Sequence, residues 1–167
     1  VQFRNLATVG GSVFGRFGFS DVLTLLLVMD SYVELYKSGI VPLADFVNMP
    51  YDRDILVRVI VKKTAAHYSY KSVRISKTDF PVLTCAAALT QEGVQAAVGA
   101  RPAKAALVKD AEQLATLPMT AEKAQAFAEY AAGLLPTETN PRGSAAYRTH
   151  LIKVLTARCL TELGGKA

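Results

Sequence analysis

The chain is 167 residues long, 51% hydrophobic and 20% charged, and carries a net charge of +5 from 19 Lys and Arg against 14 Asp and Glu. That length holds one domain or two small ones, the apolar content supplies a core, and the composition excludes a disordered polypeptide. The longest apolar run, Val22 to Met29 with Thr24 inside it, is far short of the roughly 20 residues that span a bilayer, so no membrane segment is expected. Basic residues are scattered, with Lys62-Lys63 the only adjacent pair. A nucleic-acid footprint requires clustering on one face, so no nucleic-acid partner is expected. Val1 to Gly11 has no apolar signal-peptide core, which points to a cytoplasmic protein, and Cys85 and Cys159 are expected as reduced, buried thiols.

In chain order, Asp21 to Met29 reads as a short apolar helix ending near Asp30-Ser31. Tyr32 to Lys37 alternates as a strand, Ser38-Gly39 marks a turn, and Ile40-Val41 pairs back as a hairpin. Leu43 to Asn48 makes a helical turn that Met49-Pro50-Tyr51 breaks, and Leu56 to Val61 alternates as another strand. Lys62-Lys63-Thr64 is the expected boundary between a unit of residues 1–63 and a unit of residues 64–167.

The second unit opens with a strand over Tyr68 to Ile75 that carries basic residues on one face. Val82 to Leu89 is continuously apolar, as a central strand buried on both faces requires, and Gly93 to Val98 follows as a third. Short turns join the three as an antiparallel meander. Three helices are expected after them. The first is Ala103 to Ala115, entered through Arg101-Pro102. The second is capped by Thr120 and buries Ala124, Phe127, Ala128, Ala131 and Leu135. The third is capped by Ser144, with Tyr147, Leu151, Val154 and Leu155 on its core face. Strands followed by helices define an α+β fold: a three-stranded antiparallel sheet under a three-helix layer, preceded by an α+β subdomain.

The segment that carries the most chemical information lies near the N-terminus: Thr8-Val9-Gly10-Gly11-Ser12-Val13, then Phe14-Gly15-Arg16-Phe17-Gly18-Phe19-Ser20-Asp21. Paired glycines make either a tight turn or a place where backbone N–H groups approach a ligand closely. Thr8 adds a hydroxyl, and Asp21 stands at a helix start where it either caps the helix or meets a ligand. Arg74 and Lys77, before Asp79, form either a solvated basic face or a positive lip to a site. His67 and His150 are isolated, and no cluster has metal-ligand spacing, so no metal is expected. No nucleophile–base pair is evident.

These residues resemble the flavin-binding subunit of the molybdenum hydroxylases, the family of xanthine dehydrogenases and aerobic carbon monoxide dehydrogenases. The family motif Thr-Ile-Gly-Gly-Asn-Ile matches Thr8 to Val13, with Val9, Ser12 and Val13 substituted, and its Ser-Asp falls at Ser20-Asp21, with Phe19 where Pro is common. The resemblance continues through Val41-Pro42-Leu43-Ala44-Asp45-Phe46, Thr78-Asp79-Phe80-Pro81, Val98-Gly99-Ala100-Arg101-Pro102-Ala103 and Ser144-Ala145-Ala146-Tyr147-Arg148.

The resemblance implies FAD as cofactor, held by Thr8, Gly10, Gly11, Ser12 and Asp21. It implies partners that carry molybdopterin and iron–sulfur clusters, with electrons passing through FAD to NAD or another acceptor, and no catalytic residue on this chain. The wording Gly-Arg-Phe-Gly-Phe-Ser-Asp favours a xanthine-dehydrogenase-like member. The family's Ala-Gly-Gly-Thr loop has no counterpart here and Val1 is not Met, so a fragment with an incomplete flavin site, inactive alone, is expected. The alternative is a non-catalytic assembly domain with a vestigial glycine loop.

Overall fold

The structure is a computed structural model, and it describes residues 6–165. Two antiparallel sheets organise the chain. The first has the order β2-β1-β3, with β1 at Ser31–Leu35, β2 at Gly39–Pro42 and β3 at Leu56–Val61. Gly39 at φ 71° makes the hairpin turn, a left-handed conformation that glycine adopts without penalty. Val33 pairs with Val59 and Leu35 with Leu56. A bulge beside Leu35 leaves Val57 out of register and exposed, which breaks the alternation expected over β3.

The second sheet runs β4-β5-β6-β7, with β4 at His67–Val73, β5 at Leu83–Thr90, β6 at Gly93–Gly99 and β7 at Ala106–Lys109. β7 corrects the expected helix over Ala103 to Ala115, so this sheet has four strands rather than three and two helices rather than three. Tertiary pairing overrides helix propensity here. Leu107 and Val108 lie opposite Ala97 and Ala96, and successive side chains of β7 enter different cores. Asp110 then ends the strand by accepting from the Leu114 and Ala115 amides at 2.9 and 2.7 Å.

Among the described residues, four helices occupy the expected places, and another, α1 at Val9–Phe14, forms where only a glycine loop was anticipated. α2 covers Asp21–Leu27, α3 Leu43–Asn48, α4 Ala121–Leu134 and α5 Ala145–Gly164. Thr120 and Ser144 cap α4 and α5 as expected, accepting from the Lys123 and Tyr147 amides. Tyr147, expected on the core face, is instead 45% exposed; Arg148 takes the buried position, one residue further round the helix. Its guanidinium bonds the carbonyls of Val82, Glu138 and Gly143 and the Asn140 side chain. Burial pulls its pKa down, but those four acceptors hold the charge.

The core has two lobes on the two faces of the second sheet. Cys85, Ala87 and Leu89 of β5 face α4 and α5 through Phe127, Leu151, Ile152 and Leu155. Ala86 and Ala88 face the N-terminal elements through Val13, Leu23, Val33 and Phe46. β5 is therefore buried on both faces, as its unbroken apolar run anticipates. Cys85 and Cys159 are both buried and free.

Candidate functional site

A cleft of about 720 Å³ opens where α1, the loop before α2 and the end of β4 meet. Thr8, Gly11, Ser12 and Asp21 all line it, so four of the five residues expected to hold a cofactor are brought together. Gly10 is not among them: a Cβ there would point at Leu56, 3.8 Å away.

Thr8 caps α1. Its hydroxyl oxygen accepts from the Gly11 amide at 3.0 Å and its carbonyl from the Ser12 amide at 3.0 Å. The double glycine thus forms the first turn of a helix rather than a tight turn, and a Cβ on Gly11 would press on the Thr8 hydroxyl at 3.0 Å. The Thr8 proton and the Ser12 hydroxyl remain as donors toward the cleft.

Asp21 does not cap α2. Ser20 does, accepting from the Leu23 amide at 3.2 Å, because its extended backbone places it one residue ahead of the helix. Asp21 is the first helical residue and faces β4. Its Oδ1 accepts from the Tyr70 hydroxyl at 2.5 Å and from Arg74 Nη2 at 2.6 Å, and its Oδ2 accepts from the same nitrogen at 2.5 Å. Burial raises the Tyr70 pKa well above the usual phenol range and the Asp21 carboxylate adds to it, so this hydroxyl stays a donor. A carboxylate offers about four acceptor positions. Three are taken, and one, on Oδ2, is left for a ligand.

Arg74 is the positive group at the lip, yet its charge is spent: Nε donates to the Asp79 carbonyl at 3.2 Å and Nη1 to the Ser72 hydroxyl. Asp79 in turn accepts from Arg142 at 2.9 Å and from the Phe80 amide at 2.7 Å, and these bonds lower its pKa. Lys77 is exposed and stands apart from the cleft.

Aromatic rings supply the rest of the wall. Phe17 and Phe19 stack at 5.2 Å with an interplanar angle of 7°, and Phe19 meets Phe80 at 4.3 Å. Phe17 is 53% and Phe19 40% exposed. Close backbone contacts hold this loop against the second sheet. The Gly18 carbonyl accepts from the Ala100 amide at 2.5 Å, and a Cβ on Gly99 would lie 2.6 Å from that carbonyl oxygen. Phe17, Phe19, Tyr70 and Arg142 were not assigned to a site from sequence. The exposed Phe-Gly-Phe triplet was the one local signal. Arg142 lies 63 positions from Asp79, beyond any local spacing.

The architecture is an α+β unit with a cleft beside one end of its four-stranded sheet. The chain matches two families. Residues 1–64 match the FAD binding domain in molybdopterin dehydrogenase, and residues 68–163, more than half of the chain, match the CO dehydrogenase flavoprotein C-terminal domain. It belongs to the FAD-binding subunit family of the molybdenum hydroxylases, and FAD is the cofactor of that family's domain.

The chain is 28% identical over 155 residues to "Uncharacterized protein YgfM" of Escherichia coli (strain K12), covering 92% of this chain and 57% of that one. Its fold is that of a chain of quinoline 2-oxidoreductase from Pseudomonas putida 86, with TM-score 0.80 and 22% identity over 100% of this chain and 64% of that chain. It is also that of a chain of carbon monoxide dehydrogenase from Hydrogenophaga pseudoflava, with TM-score 0.85 and 20% identity over 99% and 63%. The chain therefore spans about six-tenths of these proteins' lengths. Among the described residues, no helix is long and apolar enough to cross a membrane, and no group of three His, Cys, Asp or Glu is placed to hold a metal.

Proposed function

We propose that this chain supplies one wall of the FAD site of a molybdopterin-dependent dehydrogenase, with Thr8, Gly11, Ser12 and Asp21 as its polar contacts and Phe17 and Phe19 as its flat surface. The observation that carries this reading is the convergence in one cleft of two stacked rings and four motif residues, one of them a carboxylate with one acceptor position to spare. The residues present fit the cofactor. A cleft of about 720 Å³ is in the range of small-molecule sites, roughly 300–1,000 Å³. Stacked aromatic faces suit a planar ring system. Hydroxyl donors and an ionised acceptor suit the polar edge and the sugar-alcohol chain beside it. Arg74 and Arg142 are each neutralised by an aspartate, so the cleft suits the uncharged end of FAD better than its pyrophosphate. FAD, when bound, supplies the electron transfer, and the protein's part is to place and tune it.

The finer reading is a xanthine-dehydrogenase-like, cytoplasmic, heteromeric enzyme. Electrons arrive from an iron–sulfur subunit, originating at a molybdopterin subunit, and leave for NAD or another acceptor. The Gly-Arg-Phe-Gly-Phe-Ser-Asp segment supports that member of the family. Residues 1–63 form the flavin unit and residues 64–167 the unit that completes its wall, a division supported by β3 ending at Val61 and β4 starting at His67. On this reading these residues form one wall of the cofactor cradle and are inactive alone. A second reading, an assembly domain with a vestigial loop, is favoured by the Gly11 and Ser12 amides both being satisfied within α1.

Flavin fluorescence during an FAD titration separates the two. The 167-residue chain should bind weakly, and a polypeptide extended to the relatives' length should purify with the visible bands of oxidised flavin. A colourless extended protein would sink the flavin reading.

A further inference from the structure

The turn that leaves α1 has its glycine in an unexpected place. Gly15 closes the helix at φ −65°, a conformation any residue adopts, while Arg16 after it takes the left-handed φ of 48°. Glycine is the usual occupant of that second position, because a side chain there is strained. Strain of this kind persists where the surroundings impose it, and it gathers at functional sites. We infer that Arg16 is a positioning residue: it fixes the Phe17 and Phe19 rings that wall the candidate site.

Gly15 shows what the turn accomplishes. A Cβ on it would lie 2.5 Å from Phe17 Cε2 and 2.8 Å from Cδ2, so the Phe17 ring is folded back onto the Gly15 backbone. The left-handed residue between them reverses the chain and brings the ring there. From that place the ring stacks on Phe19 at 5.2 Å, and both rings line the cleft, whereas Gly15 and Arg16 do not. Arg16 therefore acts on the cleft only through Phe17.

The Arg16 side chain supplies the hold, and the residue is 3% exposed. Nη1 donates to the Phe46 carbonyl at 3.1 Å and to the Met49 carbonyl at 2.6 Å, at the C-terminal end of α3, where helix carbonyls lack partners within the helix. Its guanidinium carbon stands 4.4 Å from the centre of the Phe46 ring and 4.2 Å from that of Tyr51, a cation against two aromatic faces. The Tyr51 hydroxyl then donates to the Gly15 carbonyl at 2.8 Å, closing the clasp on the residue beneath the Phe17 ring. Glycine can make none of these side-chain contacts, and they offset the strain of an arginine at positive φ. The Gly18 carbonyl fixes the middle of the loop to the second sheet, and Arg16 fixes its entrance to α3. That the rings face a flavin rests on the function proposed above; their placement by Arg16 does not.

The test is NMR of the 167-residue chain labelled at phenylalanine, without flavin. It reads the ring-to-ring NOE between Phe17 and Phe19 and the ring-current shift of the Gly15 α protons, with the β4–β7 amides as the control for folding. Arg16→Gly relieves the backbone and removes the clasp. A residue needed only for its turn would be replaced by glycine with both signals intact; a positioning residue requires that both be lost. Arg16→Lys keeps a cation against the two rings and should retain them. Tyr51 is 63% exposed, so Tyr51→Ala keeps the fold, and it should cause partial loss of the NOE. If Arg16→Gly unfolds the N-terminal elements, Tyr51→Ala decides alone. The inference is overturned if Arg16→Gly or Tyr51→Ala keeps the parent's NOE and shift, or if Arg16→Lys loses them as fully as Arg16→Gly does. In a polypeptide of the relatives' length, Arg16→Gly should also lower retained FAD and Arg16→Lys restore it. Displaced rings with undiminished FAD would uphold the positioning role and take the rings out of the flavin site.

Discussion

The two faces of the β4–β7 sheet are covered in different ways. One carries α4 and α5, of 14 and 20 residues, and is packed by bulk: Phe127, Leu151, Ile152, Leu155 and Leu160 fill the space over Cys85, Ala87 and Val98. The other carries helices of six or seven residues over a floor of Ala86, Ala88 and Ala97. Helices that short are not stable alone. They are held by close approach: Gly99 lies under Gly18, and the buried hydroxyls of Thr24 and Thr84 bond across the gap at 3.0 Å. Volume stabilises one face and clearance shapes the other, and the candidate site lies on the face shaped by clearance.

Four experiments break or sharpen that contrast. The largest effect is expected on the bulky face. Phe127→Ala empties a fully buried ring site and should cost about 3–5 kcal/mol, read as a shift of the urea midpoint. Gly99→Val should cost less, about 1–3 kcal/mol, because the added methyls meet Thr84, Thr24 and the Gly18 carbonyl at the sheet surface. Its structural consequence should be greater at the cleft, with the Phe17–Phe19 loop displaced. NMR shifts confined to α4 and α5 instead would show that the clearance argument is misplaced.

The third experiment concerns ligand. In a polypeptide of the relatives' length, Gly11→Val should abolish retained FAD, since its side chain would drive into the Thr8 hydroxyl and the cleft beyond. Asp21→Ala should lower FAD content less. It removes one spare acceptor and the ties to Tyr70 and Arg74, while the helix cap on Ser20 survives. Equal flavin content in the parent and Gly11→Val would dismiss the site assignment.

The smallest effect is pH-dependent. The Asp79 carboxyl is held below its ordinary 3.8 by hydrogen bonds from Arg142 and the Phe80 amide. A depressed carboxylate stabilises the fold above its unfolded pKa, and that contribution fades as pH falls through the lower folded value. The loss therefore lies below about pH 4. Arg142→Gln should lower stability slightly at pH 6 to 8, and its difference from the parent should shrink as pH falls below about 4, so the variant loses less on acidification. An identical acid limb in both proteins would refute it.

Strong periodicity made much of this fold legible. The stripe from Ala124 to Leu135, the caps at Thr120 and Ser144, the unbroken apolar run of β5 and the hairpin turn at Ser38-Gly39 are local patterns, and the structure follows them. β7 was illegible because Ala105-Ala106-Leu107-Val108 reads as helix until β6 pairs with it. α1 was hidden because two glycines argue against a helix, and only the Thr8 cap and its packing against β3 reveal one. The motif located the cleft, since Thr8, Gly11, Ser12 and Asp21 do converge. The partners of Asp21 lay out of reach: Tyr70 and Arg74 are 49 and 53 positions away, and only the docking of α2 on β5 and β6 brings Asp21 beside them.

The anchoring of the Phe17-Gly18-Phe19 loop has a practical consequence. Its fixed point is main chain against main chain, the Gly18 carbonyl on the Ala100 amide. Neither ring takes part in that attachment, so the identity of the residues on either side of Gly18 is separable from the attachment itself. The triplet is thus an exchangeable cassette. Positions 17 and 19 can be randomised as a two-site library to re-shape what the cleft accepts, while Gly18 and Gly99 stay constant as the frame that displays them.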